Sequence, residues 1–488
     1  MVKKMSKTLR DKLKERLVLY ADRPVFLFRE KGSAEVRKVT AKEFYHDVAV
    51  LGGELTVHGY EKKNIAIYGE NSYYWVLAYF AITASGNTAV LPDCHLPEDE
   101  LSELITFTDC ECVFHSATYE DIASEMAEKT DIPFFETETF FKEISRGSAQ
   151  ANINAFESVT VSEHDTAEIA FTSGTSGKYK GVMLANSNVV SDTESVARAL
   201  GALGMCLQIL PLYHTFGLLN LLDLFFSGGC CFIEDSLRYF AKDTAEYRFD
   251  IISAVPAALP VIYEVYKNNG NGNGVRIPCG GAPEDKAMLA KLAEIGIDAY
   301  TGYGMTECSP CIAIGNDHDG IDDTSMRIID VNKVKIDSPD ENGEGEILVS
   351  GDNVMIGYYK MPEESEKVLQ NGILRTGDLG RIDGNGRLYV TGRKKNLIAL
   401  PNGEKVSPEA VEKKVRQIDG VSECMLTLQN NILVLSVWAP DGNRDSIQNE
   451  ITKLNRIFHS SKRIAKTEFS ETSFEINSIG KIIRKEKG

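Results

Sequence analysis

The part of the chain that follows residue 63 alternates between short apolar runs and segments with helical periodicity, and this alternation constrains the fold most. Ile65–Tyr68, Thr88–Leu91 and Cys112–Phe114 are apolar runs of strand length. Between them, Ser72–Thr83 and Glu98–Thr108 carry the apolar spacing of helices. Strand–helix alternation of this kind predicts an α/β fold with a parallel, doubly wound sheet.

The length of 488 residues exceeds what one ordinary hydrophobic core supports, so two or more domains are expected. Short β-like runs separated by Asp-Gly and Asn-Gly turns fill residues 326–391, and they predict a small barrel-like or antiparallel subdomain. A charged junction, Gly392–Lys395, precedes a final stretch of mixed helix and strand pattern. We therefore predict a large N-terminal domain of residues 1–393 and a smaller α+β C-terminal domain of residues 394–488.

Charge and cysteine usage exclude several classes of function. The net charge of −18 argues against nucleic acid as a partner. The ten cysteines are scattered, and the closely spaced ones lack a second pair or a histidine at zinc-finger spacing, so free thiols in a reducing cytosol are expected. Tyr73–Pro92 carries no charge over 20 residues, but polar residues interrupt it, which favours a buried helix and strand over a membrane span. No signal peptide follows the basic N-terminus, and we predict a cytoplasmic protein.

A loop rich in glycine, hydroxyl residues and lysine lies between a predicted strand, Thr166–Phe171, and a predicted helix, Ser187–Leu200. It reads Phe171-Thr-Ser-Gly-Thr-Ser-Gly-Lys-Tyr-Lys-Gly-Val182. Glycines let backbone N–H groups turn inward, while hydroxyl and ammonium groups add donors, so the composition suits phosphate oxygens. It is not a Walker A loop, because Thr172 and Tyr179 stand where that motif needs Gly and Ser or Thr. The alternative is an ordinary Gly/Ser surface loop.

Four further motifs carry functional groups, and each also has a plain structural interpretation. They are Thr301-Gly-Tyr-Gly-Met-Thr-Glu307, Leu374-Arg-Thr-Gly-Asp378, Leu210-Pro-Leu-Tyr-His-Thr-Phe-Gly217 and Asn477-Ser-Ile-Gly-Lys-Ile-Ile-Arg484. The first, on a predicted open loop, offers an aromatic face for a flat base, with a hydroxyl and a carboxylate that suit a phosphate and its magnesium; otherwise it is a turn. The aspartate of the second is usually a turn former. The histidine of the third is more often a core residue, and the lysine of the fourth is most often solvated.

These motifs, in this order, resemble those of the adenylate-forming (AMP-binding) superfamily, which includes acyl- and aryl-CoA synthetases, peptide-synthetase adenylation domains and firefly luciferase. The superfamily signature runs Tyr/Phe-Thr-Ser-Gly-Thr-Thr/Ser-Gly-x-Pro-Lys-Gly, and the loop matches it except that Tyr179 replaces the usual proline. The Gly-Tyr-Gly-x-Thr-Glu and Gly-Lys-x-x-Arg motifs match residue for residue. The resemblance covers essentially the whole chain and is strongest to fatty acyl-CoA synthetases.

The resemblance implies a site for ATP and magnesium. Phosphates are expected on the loop, adenine beside Tyr303, the ribose at Asp378 and Arg393, and magnesium at Glu307. The expected nucleotide-binding residues are Thr172, Ser173, Gly174, Thr175, Ser176, Gly177, Lys180, Gly281, Ala282, Pro283, Tyr303, Gly304, Thr306, Asp378 and Arg393.

The resemblance also assigns catalytic residues and an acid pocket. Lys481 is the expected catalytic lysine, whose ammonium group reduces the repulsion between an attacking carboxylate and the α-phosphate. His214, which we also count as catalytic, is expected to line the acid pocket with Thr215 and Gly302. Thr215 stands where amino-acid-activating members carry Asp, and the run that follows is almost uncharged. A fatty or aryl carboxylic acid is therefore expected.

In the superfamily the C-terminal domain is mobile and swivels between two half-reactions, which places a hinge at Lys395 and a thiol tunnel past Gly403. The expected reaction activates a carboxylate as acyl-AMP and transfers the acyl group to the pantetheine thiol of coenzyme A. From Gly392 onward the chain holds 17 Lys and Arg against 12 Asp and Glu, which suits the phosphates of coenzyme A or an acyl carrier protein, although a solvated surface is the alternative. Two rivals remain: an adenylation enzyme that loads a carrier protein, and a non-catalytic nucleotide-binding protein.

Overall fold

The computed structural model describes residues 7–147, 149–173, 179–201, 204–280, 286–315, 325–400, 405–458 and 463–474. Its strands, in chain order, are β1 Pro24–Arg29, β2 Val36–Thr40, β3 Asn64–Tyr68, β4 Thr88–Leu91, β5 Cys110–His115, β6 Phe134–Glu136, β7 Thr166–Ser173, β8 Tyr179–Ala185, β9 Met205–Gln208, β10 Cys230–Ile233, β11 Arg276–Cys279, β12 Asp298–Gly304, β13 Cys311–Ile314, β14 Met326–Ile328, β15 Asn332–Asp337, β16 Gly345–Gly351, β17 Gly357–Tyr358, β18 Leu369–Gln370, β19 Ile373–Ile382, β20 Arg387–Arg393, β21 Ile398–Ala399, β22 Lys405–Val406, β23 Glu423–Gln429, β24 Ile432–Trp438 and β25 Lys466–Ser470. Its helices are α1 Leu9–Tyr20, α2 Ala41–Val57, α3 Tyr73–Ala84, α4 Glu98–Phe107, α5 Glu120–Thr130, α6 Thr137–Gly147, α7 Ala149–Ser158, α8 Asn186–Leu200, α9 Thr215–Ser227, α10 Phe240–Glu246, α11 Leu259–Asn269, α12 Lys286–Glu294, α13 Pro362–Val368, α14 Pro408–Val415 and α15 Arg444–Ile457.

The first sheet contains seven strands in the order β17-β8-β7-β4-β3-β5-β6. The five strands from β7 to β6 run parallel, while β8 and β17 extend one edge in antiparallel pairing. The chain passes from β3 to its neighbour β4 and then crosses to β5 on the other side of β3. This reversal of direction is the mark of a doubly wound sheet, so the predicted α/β class is confirmed.

Helix α3 lies inside the protein because its sequence is apolar on every side, and such a helix must be covered on every side. All of its residues except Tyr74 are buried, and the Ser72 side chain caps it by accepting a hydrogen bond from the Trp75 N–H. The ring of Phe80 lies 4.7 Å from that of Phe225 on α9, measured between centroids. The uncharged run is thus a buried helix followed by strand β4, as predicted, and within the described ranges no helix has the length and apolarity needed to cross a bilayer.

A second sheet starts with an antiparallel pair, β2 and β1, continues through parallel strands, and ends as an antiparallel arrangement. Its first four strands follow the order β2-β1-β10-β9, and single bridges at Ile251 connect Cys206 of β9 with Arg276 of β11. β11 pairs with β12 in parallel. From β12 the pairing is antiparallel through β13, β14, β20, β19, β16 and β15. This confirms the antiparallel subdomain expected over residues 326–391.

The last elements bury a hydrophobic cluster of their own. Strands β23, β24 and β25 form a separate sheet, and its cluster with the neighbouring helices includes Val411, Leu435 and Ile447. A close contact joins this part to β20: the Ser407 hydroxyl donates a hydrogen bond to the Thr391 carbonyl at 3.1 Å. A Cβ on Gly392 would lie 2.3 Å from the same hydroxyl oxygen. A domain boundary at residues 393/394 stays a prediction.

The ten cysteines all lie in described ranges, where each is buried and forms no disulfide. Burial raises the pKa of Cys110 and Cys112 to about 12. These thiols are therefore protonated near neutral pH, and the expectation of unbridged cysteines is confirmed.

A buried carboxyl group in β7 gives the fold a pH dependence. Glu168 is 2% exposed and accepts a hydrogen bond from the Tyr79 hydroxyl at 2.5 Å. Burial raises the pKa of Glu168 to about 7, an effect that Tyr79 only partly offsets. The folded chain thus keeps a proton that the unfolded chain has already lost, so stability falls as pH rises through the window between the two pKa values.

We expect the free energy of unfolding to fall between pH 5 and pH 8, with about 3 kcal/mol of that fall due to Glu168. Glu168→Gln keeps an acceptor for Tyr79 but cannot ionise, so its stability should fall by that much less over the same range. Urea unfolding of both proteins at the two pH values checks this. Equal falls in both proteins would show that Glu168 does not titrate in this window.

Candidate active site

The predicted phosphate loop connects two antiparallel strands. In the ladder between β7 and β8, Thr172 pairs with Lys180. Residues 174–178, which include Gly174, Thr175, Ser176 and Gly177, and the side chain of Ser173 lie outside the described residues. Helix α8, Asn186–Leu200, lies where the sequence predicts a helix, but strand β8, Tyr179–Ala185, precedes it and is not predicted from the sequence. The ladder, and not a helix N-terminus, fixes both ends of the loop.

Tyr179, the departure from the superfamily signature, connects the loop to a neighbouring helix. Its hydroxyl donates a hydrogen bond to Glu100 Oε2 on α4 at 3.0 Å. Burial and the nearby Glu100 raise the pKa of Tyr179 to about 12. A proline at this position could not make the contact, so Tyr179 supplies an anchor that the usual residue lacks.

Lys180 and Glu307 lie on either side of one tyrosine. The Lys180 ammonium is 2.7 Å from Glu364 Oε2 and 4.8 Å above the centre of the Tyr358 ring. The Tyr358 hydroxyl donates a hydrogen bond to Glu307 Oε1 at 2.8 Å. Hydrogen bonding to Lys180 lowers the pKa of Glu364 to about 2, and Lys367 contributes. The predicted phosphate-binding cation and the predicted metal carboxylate therefore lie close together.

Glu307 is placed by the segment that follows β12. A one-turn 3₁₀ helix, Thr306–Cys308, carries it, and its carbonyl accepts a hydrogen bond from the Met355 N–H at 3.0 Å. The residue is 7% exposed. An ionised carboxylate has several acceptor positions, so one hydrogen bond from Tyr358 leaves capacity for a metal ion.

Three predicted adenosine-binding residues form a connected cluster. The Tyr303 hydroxyl donates a hydrogen bond to Asp378 Oδ2 at 2.9 Å, and Arg393 Nε lies 2.7 Å from Asp378 Oδ1. Asp378 pairs directly with Arg393 in the ladder between β19 and β20. The open loop predicted for Tyr303 is wrong because this residue lies in β12, and Asp378 lies in β19 instead of forming the turn that was its structural alternative. Strands β12, β19 and β20 therefore bring the side chains of Tyr303, Asp378 and Arg393 together.

Two glycines beside Tyr303 differ in what surrounds them. A Cβ on Gly304 would lie 1.9 Å from the Pro310 carbonyl oxygen, so only glycine fits there. A Cβ on Gly302 would meet only the Cys279 carbonyl oxygen, at 3.9 Å. Among the described residues, a side chain at Gly302 would therefore meet no close contact, and its place in the acid pocket stays a prediction.

The predicted acid pocket begins at the N-terminus of α9. His214 is the N-cap residue and Thr215 the first, buried residue of the helix. Burial lowers the pKa of His214, although Asp93 acts in the opposite direction, so the imidazole is neutral at physiological pH. A Cβ built on Gly280 would lie 3.4 Å from Cε1 of Phe216. The Phe216 ring and the Gly302 carbonyl therefore border the position of Gly280.

Comparison with known proteins decides the family. The sequence profile of the AMP-binding family, described as AMP-binding enzyme, matches residues 13–359. The chain belongs to the AMP-binding enzyme family. This is the superfamily that the motifs resemble, so the prediction from sequence is confirmed.

Relatives within the AMP-binding enzyme family are CoA ligases. A 2-succinylbenzoate–CoA ligase of Bacillus cereus is 28% identical over 432 residues, which cover 85% of this chain and 84% of the relative. A long-chain-fatty-acid–CoA ligase of Salmonella typhimurium is 31% identical over 283 residues, which cover 53% of this chain and 49% of the relative. The expected enzyme class, an AMP-forming acid–thiol ligase, is confirmed.

Solved structures share the fold at low sequence identity. MatB from Rhodopseudomonas palustris with ATP bound has a TM-score of 0.80 at 21% identity and covers 98% of this chain and 97% of its own. The o-succinylbenzoate CoA synthetase MenE from Bacillus subtilis, in complex with the acyl-adenylate intermediate OSB-AMP, has a TM-score of 0.79 at 23% identity and covers 96% of each chain. The same synthetase has also been solved with ATP and magnesium ion. The α/β architecture is therefore that of adenylate-forming enzymes.

Several predicted family residues fall outside the described residues, and their roles stay predictions. They are Gly281, Ala282 and Pro283 of the adenine segment, Gly403 of the thiol tunnel, and Lys481. Lys395, the predicted hinge residue, is described and lies in a one-turn 3₁₀ helix, Lys394–Asn396, directly after β20.

Sequence reasoning missed two residues of this site, Tyr358 and Glu364. Tyr358 lies in the segment Asn353–Tyr359, and the resemblance of this segment to fatty acyl-CoA synthetases could have identified Tyr358 as a candidate site residue. Glu364 lies in an acidic helix with no local feature that points to Lys180. Only the pairing of β17 with β8 shows that these residues border the phosphate loop.

Proposed function

We propose that this enzyme uses ATP to activate a fatty or aryl carboxylic acid as an acyl-AMP and then transfers the acyl group to the thiol of coenzyme A. The arrangement that supports the proposal best is the continuous row Lys180–Tyr358–Glu307, together with the Tyr303–Asp378–Arg393 cluster. β12 and the turn after it connect the two groups. They offer a cation for phosphates, a carboxylate for a metal ion, and an aromatic ring with a second carboxylate for adenosine.

The residues present fit a magnesium ion. Magnesium prefers oxygen ligands and is usually held by one or two carboxylates together with substrate phosphates. Glu307 offers such a carboxylate, which Tyr358 orients. When bound, magnesium would neutralise charge on the phosphates of ATP. Lys180 would bind phosphate oxygens, and to do so it must exchange its ion pair with Glu364 for the nucleotide.

The chemistry has two steps. In the first, a carboxylate oxygen of the acid attacks the α-phosphorus of ATP and pyrophosphate leaves; we assign Lys481 to this step because two anions must approach each other. In the second, the thiol sulfur attacks the acyl carbonyl carbon, loses its proton, and AMP leaves. Asp378 and Arg393 would hold the ribose during both steps.

The predicted pocket residues and the relatives support the proposed acid class. His214 is half-buried and has a lowered pKa, which favours the neutral imidazole, and Thr215 offers no charge for an ammonium group. Phe216 adds an apolar wall beside Gly280. The matched relatives are named for 2-succinylbenzoate and for long-chain fatty acids, which supports an aryl or fatty acid over an α-amino acid.

We further propose that residues 1–393 and 394–488 are two domains and that the second turns about Lys395 between the steps. The separate hydrophobic cluster of the C-terminal part supports this division. Lys395 lies in a single helical turn between β20 and β21, and hinges need only a few residues that absorb a change in φ and ψ.

A pyrophosphate-release assay with magnesium and ATP tests the proposed function. We expect fatty or aryl acids to release pyrophosphate well above the acid-free background, and α-amino acids to stay at background. Adding coenzyme A to the preferred acid should yield the acyl-CoA and AMP, while a pantetheinyl carrier protein alone should not replace it. Turnover with only a carrier protein would favour the carrier-loading rival, and no release across the whole panel would favour a non-catalytic nucleotide-binding protein.

A further inference from the structure

The segment between β4 and α4 brings three different metal-binding side chains together. Asp93, Cys94 and His95 each offer one ligand atom, and these atoms all lie within 4.8 Å of one another. The backbone turns tightly here, because Asp93 Oδ1 accepts a hydrogen bond from the His95 N–H at 2.9 Å. His95 is exposed and Cys94 is 3% exposed. The cluster therefore opens to solvent on the imidazole side and is enclosed on the thiol side.

A buried hydroxyl group beside this cluster has no hydrogen-bond partner among the residues that the structure describes. It belongs to Tyr68, at the end of β3, which is 1% exposed. Burial, together with the neighbouring Cys94 and Asp93, raises the pKa of Tyr68 to about 12. The ring of Tyr119 lies 4.6 Å from that of Tyr68, measured between centroids. An unsatisfied buried polar group calls for a missing partner such as a water molecule or an ion.

We propose that Asp93, Cys94 and His95 bind a zinc ion. Thiolate, imidazole and carboxylate together are the ligands that zinc prefers, whereas magnesium prefers oxygen alone. Three protein ligands leave a fourth tetrahedral position for water, and such a water would supply the hydrogen-bond partner that the Tyr68 hydroxyl lacks among the described residues. Binding releases the proton of the Cys94 thiol to the solvent, since thiolate is the ligand form. The ligand atoms need only a small approach to reach zinc-bonding distances.

The site differs from the magnesium site assigned to Glu307 and lies beside a residue of the predicted acid pocket. The Tyr213 ring lies 4.6 Å from that of His214, measured between centroids. The His95 ring also approaches Tyr213 edge-on, at 6.5 Å between centroids. A zinc ion here would therefore adjoin the residue that we expect to line the acid pocket, without sharing any ligand with the nucleotide site.

Cobalt, a spectroscopic substitute for zinc, tests the proposal on the full-length protein after treatment with a chelator. We expect Co²⁺ to produce the near-ultraviolet charge-transfer absorption of a thiolate ligand and the visible bands of tetrahedral cobalt, at about one ion per chain. Added Zn²⁺ should remove both signals, and excess Mg²⁺ should not.

Two variants test the proposed ligands, and a third is the control. Cys94→Ser should lose the thiolate absorption, and His95→Asn, at an exposed position that folding tolerates, should weaken cobalt binding by at least about tenfold. Cys110→Ser removes a buried thiol from the neighbouring strand β5 and should bind cobalt as the wild type does. The proposal is overturned by absence of the thiolate absorption in the wild type, by unchanged binding in His95→Asn, or by equal loss in Cys110→Ser.

Discussion

Replacing Lys481 with alanine is expected to reduce acyl-adenylate formation by about 10³-fold while leaving thioester formation from supplied acyl-AMP close to wild type. The reason is electrostatic. In the first step a carboxylate must approach an α-phosphate that already carries negative charge, and an ammonium group that contacts both lowers this repulsion and aligns the attack. In the second step the acyl-AMP is already formed, so this particular repulsion is gone. The assignment rests on the sequence motif, since Lys481 lies outside the described residues.

Two assays separate the steps: pyrophosphate release from acid and ATP, and acyl-CoA formation from synthetic acyl-AMP and coenzyme A. Lys485→Ala is the matched control, because it removes a lysine from the same basic tail without touching the Gly-Lys-x-x-Arg motif. It should behave as wild type in both assays. Equal loss of both activities in Lys481→Ala would contradict a role confined to adenylation.

Replacing Glu307 with glutamine is expected to lower kcat/KM for ATP by about 10²-fold. The amide has nearly the same shape and can still accept the hydrogen bond from the Tyr358 hydroxyl, which is now 2.8 Å from Glu307 Oε1. The protein should therefore fold and melt as the wild type does. What is lost is the negative charge that would hold magnesium beside the phosphates.

Pyrophosphate release measured over a series of magnesium concentrations checks this expectation. The variant should need more magnesium than the wild type and should not reach the wild-type rate. Glu363→Gln removes a carboxylate from the exposed side of α13 and serves as the control, with wild-type magnesium dependence expected. If Glu307→Gln shows that same dependence, Glu307 is not the metal ligand.

The sequence predicts the parallel part of the fold well because the signals there are local. The run Tyr73–Pro92 is uncharged and long enough for only one buried helix and one strand, and both are found. Strand β8 is missed because the glycine and lysine of the loop continue into it, and its pairing with β7 depends on contacts that a local pattern does not contain. Tyr303 and Asp378 also lie in strands that the sequence does not predict, because the pairing of those strands again depends on distant contacts.

In the candidate site, too, the sequence predicts residues that lie in short motifs but misses partners that are distant in the chain. Motifs identify Lys180, Glu307 and Asp378, since each stands in a short characteristic sequence. The Tyr358 and Glu364 contacts are not local: Glu364 and Lys180 are 184 positions apart. Such partners follow only from the fold, which brings β17 and α13 against the strand that carries Lys180.

The contact between Ser407 and the end of β20 has a consequence for any rotation about Lys395. Thr391 and Gly392 precede that residue and Ser407 follows it, so the hydrogen bond and the tight packing at Gly392 both span the pivot. A rotation of the C-terminal part must break this hydrogen bond and this packing. A bulkier residue at position 392 would displace the Ser407 side chain from β20. If the C-terminal part rotates as proposed, the Ser407 hydroxyl and the absence of a side chain at Gly392 together stabilise the orientation described here, and we expect substitutions at these two positions to shift the balance between the two proposed orientations.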